Sequence, residues 1–276
     1  MDIIIPNKEE LNKKIATIKA GGVELLHVVA DFDRTLTKAA TADGRINTSY
    51  AHLREGDYLS KEYHELDKQL FAEYHPYEID PDVSEAEKDI KMVEWWSKHY
   101  ALFIKMGMRR EIIDAIVKDR DLTFRKGADS FFRMVKDDHI PLLIFSAGMG
   151  DIIRESLKKE GFLSDNVHIF ANFFRFDDRG NAIGYNTPLI HAFNKNEQQV
   201  GAYTDGISDR TNVILLGDSL GDICMADGLH HDCIIKIGFF DHKDQKMQDQ
   251  YEDVYDVVIL DDGPMDYINR LLKSVI

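Results

Sequence analysis

Short apolar runs that stop at a polar residue or a glycine recur along the chain. They are Leu25–Ala30 ahead of Asp31, Pro141–Phe145 ahead of Ser146, Val167–Ala171, Val213–Leu216 ahead of Gly217, Ile234–Ile237 ahead of Gly238, and Val257–Leu260 ahead of Asp261. Each has the length of a buried strand, and most are rich in Ile and Val. Helical spacing of apolar positions fills several of the intervals, as in Asp151–Glu160 and Met265–Val275. Strand and helix in alternation predict an α/β fold: a Rossmann-like core with a parallel sheet covered on both faces.

One block breaks that rhythm directly after the first strand. Tyr58–Tyr74, Glu85–Met106 and Arg109–Asp119 read as helices, polar with interspersed aromatics. The expected organisation is therefore a core of residues 1–36 and 126–276 with a mainly helical cap, 37–125, inserted between its first and second motifs. A second irregularity is Phe174–Tyr185, where Asp177-Asp178-Arg179-Gly180 marks a turn between two extended pieces and predicts a β-hairpin.

Composition narrows the function classes. A chain of 276 residues accommodates a core plus an insert, and 44% hydrophobic with 30% charged residues is ordinary for a globular protein. No apolar run approaches the ~18 residues of a membrane span, and the start lacks a basic, long-hydrophobic leader. Two cysteines, Cys224 and Cys233, make no disulfide framework, so a reducing, cytoplasmic setting is expected. Six prolines and no Gly/Ser tract leave no long linker. A formal charge of −15 repels nucleic-acid polymers and anionic membranes. If the substrate is a small anion, the site must supply its own positive charge from a metal, a lysine or helix N-termini.

Ligands of open parallel sheets bind beyond the carboxyl ends of the strands, so the polar residues there carry the chemistry. The first strand delivers Asp31 and Asp33, which point the same way at i and i+2. Two such carboxylates repel unless a cation neutralises them or one holds a proton. Either solution suits phosphoryl transfer: one carboxylate attacks phosphorus and its neighbour moves protons. An isolated Asp-x-Asp is more often a pair of turn or capping residues; its place after an apolar strand and before Thr35-Leu36-Thr37 makes this one specific. Ser146 and the N–H of Ala147, at the second strand end before glycines and a helix, suit an anion or a plain N-cap. Asp218 and Asp222 in Gly217-Asp218-Ser219-Leu220-Gly221-Asp222 add oxygen donors of the kind Mg²⁺ takes, or form an acidic capped loop. Lys195 has significance only in this company.

The ordered series Asp31-x-Asp33-x-Thr35, Ser146, Lys195, Gly217-Asp218-x₃-Asp222 resembles the haloacid dehalogenase-like phosphohydrolases along nearly the whole chain. That resemblance implies Asp31 as nucleophile, Asp33 as general acid/base, and Mg²⁺ held by Asp31, the Asp33 carbonyl and Asp218. Asp222 would orient that metal from behind or through water, while Ser146, Ala147 and Lys195 grip phosphate. The segments Asp31–Thr37, His75–Pro81, Met92–Trp96, Ser146–Asp151, Asn194–Asn196 and Gly217–Asp222 look more closely like the class III cytosolic, or pyrimidine, 5′-nucleotidases. This implies a small-molecule partner, a nucleoside 5′-monophosphate of cytidine, uridine or 7-methylguanosine, and base recognition by Glu78. His99 stands where the related pattern has a serine, as a second candidate for the base, and Trp95, Trp96 and Tyr100 as candidates for a stacking wall. A monomer is expected. The rivals are another phosphatase or a phosphomutase of the same superfamily, and a non-catalytic nucleotide-binding protein; the complete set of core carboxylates, Ser146 and Lys195 speaks against the last.

Overall fold

The computed structural model describes residues 2–80, 82–120, 122–197 and 206–276. Pro81, the end of the His75–Pro81 segment, lies outside the described residues. The strands are β1 (Ile3–Ile4), β2 (Leu26–Asp31), β3 (Leu142–Met149), β4 (Val167–Asn172), β5 (Phe174–Phe176), β6 (Ala182–Tyr185), β7 (Asn212–Gly217), β8 (Cys233–Phe240) and β9 (Val257–Leu260). Seven of them form one sheet in the order β1-β9-β8-β7-β2-β3-β4. All six expected strands are present. The sheet is parallel except for β1, which runs antiparallel on β9 at the edge. Two residues, Ile3 and Ile4, are too short a run to read as a strand. The hairpin forms as expected, β5 antiparallel to β6.

Core strands β2 and β7 are buried on both faces, which is why they are continuous apolar runs rather than alternating ones. One face packs with Val28, Ala30, Ile144 and Ile214, the other with Val29, Phe145, Val213 and Leu215. Helices α1 (Lys8–Gly21), α6 (Ala128–Asp137), α7 (Gly150–Lys159), α8 (Gln245–Val254) and α9 (Asp266–Val275) accompany the sheet. Between β2 and β3 come α2 (Ser49–Arg54), α3 (Lys61–Ile79), α4 (Glu85–Lys105) and α5 (Arg110–Asp119). Ser60 and Ser84 accept hydrogen bonds from the N–H groups of Tyr63 and Glu87, which starts α3 and α4 where their sequences change from loop to helix. Pro76 sits inside the last turns of α3, which runs five residues beyond the expected end at Tyr74.

Candidate active site

The carboxyl ends of β2, β3 and β7 lie side by side, with Asp31 paired in register to Phe145 and Ala30 to Leu216. That adjacency brings together Asp31, Asp33, Ser146, Asp218 and Asp222, which are far apart in sequence. Lys195 joins them from the irregular segment before β7. Its Nζ lies 2.7 Å from Asp31 Oδ1 and 2.6 Å from Asp222 Oδ1. Burial alone would drive the Lys195 ammonium towards neutrality, but the Asp222 and Asp31 carboxylates outweigh it and keep it charged. The local positive charge demanded by the acidic surface is thus present.

Three carboxylates still crowd one lysine. Asp31, Asp218 and Asp222 offer oxygens within 4.8 Å of one another. Burial pushes the carboxyls of Asp31 and Asp218 well up, and mutual repulsion adds to it against the pull of Lys195. An all-oxygen donor set of three carboxylates, only partly balanced by Lys195 and by Arg34 beside Asp218, fits a hard divalent cation. Asp222 also braces the backbone, because its Oδ2 accepts from the N–H groups of Asp218 and Ser219 at 3.0 and 2.9 Å. It thereby fixes the loop that presents Asp218. Gly217 is required here, since a Cβ would stand 2.5 Å from the Asp222 Cβ.

Asp33 is held by a residue that the sequence did not single out. Ser49, the first residue of α2, donates its N–H to Asp33 Oδ1 at 2.8 Å and its hydroxyl to Oδ2 at 2.7 Å. Met149 N–H donates to the same hydroxyl at 3.2 Å. Burial raises the Asp33 carboxyl to about 6, with these two hydrogen bonds from Ser49 as the strongest opposition. A carboxyl poised there can give and take a proton near neutrality. Gly148 makes the contact possible: a Cβ would be 2.3 Å from Ser49 Oγ and 2.8 Å from Asp33 Oδ2. The only sequence signal for Ser49 is the Thr48 N-cap of a short helix.

Ser146 is buried and its hydroxyl accepts from Gly148 N–H at 3.0 Å. β3 continues through a bulge to Met149, so Ser146 and Ala147 stand on the strand end, with the first turn of α7 beginning at Gly150. The Ala147 carbonyl accepts from Asn172 Nδ2 at 3.0 Å. Arg34 and Arg125 are further contributors. Arg34 has φ of 65° and pairs with Asp241 at 2.6 Å and Asp218 at 3.4 Å. Arg125 is buried, and its guanidinium donates to the carbonyls of Thr35, Gly263 and Arg34. It fastens the turn that follows Asp33.

Glu78 and His99 belong to the inserted helices, and among the described residues neither hydrogen-bonds the core aspartates. Glu78 is half-buried in the last turn of α3, and burial pushes its carboxyl up. Lys88 links it towards the core: Nζ donates to the Glu78 carbonyl at 3.1 Å and lies 5.4 Å from the centroid of the Phe193 ring, two residues before Lys195. Beside it, Asp89 approaches His191 at 3.2 Å. His99 is 2% exposed. Its Nε2 is 3.0 Å from Asp67 and 2.9 Å from the Tyr50 hydroxyl, and its ring stacks between Trp96 and Phe103. Trp95 and Tyr100 are buried in packing, whereas Trp96 keeps an exposed part.

The chain is similar to known proteins along nearly its whole length. Residues 34–276 match the family model described as pyrimidine 5′-nucleotidase (UMPH-1). A 7-methylguanosine phosphate-specific 5′-nucleotidase A of Xenopus laevis is 40% identical over 270 residues, covering 97% of this chain and 93% of that protein. The enzyme of that name in Homo sapiens is 36% identical over 95% of this chain and 88% of its own length. Among solved structures, cytosolic 5′-nucleotidase IIIB bound to cytidine superposes with a TM-score of 0.90 at 32% identity, covering 99% of this chain and 93% of that one. A haloacid dehalogenase family hydrolase from Salmonella enterica shares the fold at a TM-score of 0.56 and 12% identity, over 90% of this chain and 71% of its own. With the acidic cluster at the strand ends and relatives of this similarity along nearly its full length, the chain belongs to the pyrimidine 5′-nucleotidase family of phosphoric monoester hydrolases, on an α/β core of the haloacid dehalogenase type.

Proposed function

We propose that this protein hydrolyses 7-methylguanosine 5′-monophosphate and CMP to nucleoside and phosphate, with Asp31 as nucleophile, Asp33 as acid/base and Mg²⁺ as cofactor. The observation that carries the reading is the pairing at the sheet edge: a lysine-bound Asp31 beside an Asp33 held near pH 6 by burial against the Ser49 hydrogen bonds. Asp31, the Asp33 carbonyl and Asp218 would hold the cation. When bound, it neutralises the carboxylates and the phosphate oxygens that approach them.

Asp31 attacks phosphorus, and the bond to the nucleoside 5′-oxygen breaks as protonated Asp33 gives that oxygen its proton. The product on the enzyme is an aspartyl-phosphate at residue 31. Asp33, now a carboxylate, takes a proton from water as the water attacks phosphorus, which releases phosphate and restores Asp31. Lys195, Ser146 and the Ala147 N–H hold the phosphoryl oxygens through both steps. The base belongs to the cap, residues 37–125. Glu78 accepts from the exocyclic amine of cytosine or faces the cationic edge of 7-methylguanine; its half-buried, raised carboxyl is suited to a partner that supplies donors or positive charge. Trp96 supplies the stacking face, with His99 backing its ring rather than meeting the base directly. The specificity in the relatives' names and the cytidine bound to the solved relative support both bases. A comparison of kcat/KM for 7-methylguanosine monophosphate, CMP, UMP and a hexose phosphate, with and without Mg²⁺, tests the assignment; faster turnover of the hexose phosphate would overturn it.

A further inference from the structure

Away from the phosphate-gripping end of β2 lies a second buried cluster. His27 stands on β2 four residues before Asp31, on the same face of the strand. Its Nε2 is 2.8 Å from Glu197 Oε1, and His231 Nε2 is 2.7 Å from Glu197 Oε2. The three side chains are 0%, 0% and 4% exposed for His27, Glu197 and His231. Glu197 is two residues beyond Lys195, and its N–H donates to the Asp227 carbonyl at 3.0 Å. The phosphoryl-transfer chemistry uses none of these groups.

The two ion contacts form rungs between the same two segments: Asp31 to Lys195, and His27 to Glu197. On the strand the rungs are about 13 Å apart, from four residues at about 3.3 Å each. On the other segment they are only two residues apart. The long lysine side chain makes up the difference, so where Nζ arrives depends on where Glu197 is pinned. The segment 191–197 has little regular structure of its own, which leaves individual anchors, the Glu197 N–H and carboxylate among them, to set its position.

We propose that Glu197, clamped by His27 and His231, is a positioning residue for Lys195. It sets the reach of the ammonium towards Asp31 and the phosphoryl group. Two imidazoles and a carboxylate are also a donor set for zinc. Here each Nε2 sits at hydrogen-bond distance from a separate carboxylate oxygen. Among the described residues, neither Nδ1 has the partner that zinc-ligating imidazoles ordinarily engage. With both rings donating through Nε2–H, the Glu197 carboxylate receives two donors without a metal, and each Nδ1 is left as a buried acceptor.

The inference rests on Lys195 acting on phosphate, and a double-mutant cycle separates the two ideas. Lys195→Met alone should lower kcat by about 10²-fold or more. Glu197→Ala should lower kcat by about 10²-fold, the size expected of an ångström-scale misplacement, with a smaller change in KM. Glu197→Gln, which keeps one acceptor, should recover part of the loss. The decisive outcome is the double variant: it should be no slower than Lys195→Met, because Glu197 acts only through the lysine. Equal additional slowing in both backgrounds would overturn the proposal, as would Glu197→Ala activity within twofold of wild type. A Lys195→Met variant with kcat within about twofold of wild type would instead refute the role of the lysine. Should Glu197→Ala fail to fold, His231→Phe keeps the ring volume, removes one donor and carries the same cycle. Stoichiometric zinc in the purified protein that His231→Phe abolishes would also overturn the hydrogen-bonded clamp.

Discussion

Replacing Ser49 by Ala removes one of the two donors on Asp33 and leaves the other. The hydroxyl contact to Oδ2 at 2.7 Å is lost, while the backbone N–H contact to Oδ1 at 2.8 Å survives. A hydrogen bond to a charged group contributes about 1.5–3 kcal/mol. At about 1.4 kcal/mol per pKa unit, its loss raises Asp33 by about one to two units. Asp33 starts at about 6 because burial already outweighs both donors. It must be protonated to give a proton to the leaving oxygen, so its working form disappears as pH rises through that value. The falling alkaline limb of the kcat/KM profile should therefore move up by about one to two pH units in Ser49→Ala. The assay is phosphate release from CMP across pH 5–9 (about one profile per variant). Met149 N–H loses its acceptor as well, so a stability loss of about 1–3 kcal/mol should accompany the shift. An alkaline limb that stays in place or moves to lower pH would refute the reasoning.

Asp31→Asn should lower phosphate release by at least about 10³-fold while retaining the fold. Without metal it should also melt higher than wild type at neutral pH. A carboxyl raised by burial stabilises the folded state only below its ordinary pKa range, and that contribution is lost as pH climbs through the raised value. Calorimetry at pH 4 and pH 7.5 checks this, the advantage being confined to the higher pH. Gly148→Ala should lower kcat about 10²-fold, because its Cβ would displace Ser49 and Asp33; steady-state kinetics reads it. Glu78→Gln should raise KM for 7-methylguanosine monophosphate at least about tenfold with kcat less affected. Turnover of a hexose phosphate should not change.

The core was legible because buried parallel strands are continuous apolar runs, and because the sheet presents chemistry where those runs end. Asp31, Ser146 and Asp218 each follow such a run, so the register that joins them was implicit in the pattern. β1 escaped notice because two residues carry no periodicity. Ser49 escaped because its role depends on how α2 returns to the sheet edge, a tertiary fact with no local trace beyond a helix cap. The same holds for Arg34 and Arg125, whose roles depend on partners at Asp241 and the Thr35 carbonyl that lie far away in sequence. His99 shows the opposite case. Its position in a motif suggested contact with the base, and the structure adds what the motif could not show: its ring contacts Asp67 and Tyr50 and stacks on a half-buried Trp96. The clamp of His27, Glu197 and His231 was invisible for a simpler reason: three single residues separated by 170 and 34 positions form no pattern.

The most direct measurement is to trap the enzyme during turnover. Wild-type protein with Mg²⁺ is mixed with CMP labelled in its phosphoryl group, quenched in acid within milliseconds, and the label is located by peptide mapping. Acid-stable label on Asp31, absent from Asp31→Asn and formed no more slowly than cytidine is released, is the expected result. Cytidine release with no label on the protein at any quench time, or label on another residue, would contradict Asp31 as the nucleophile.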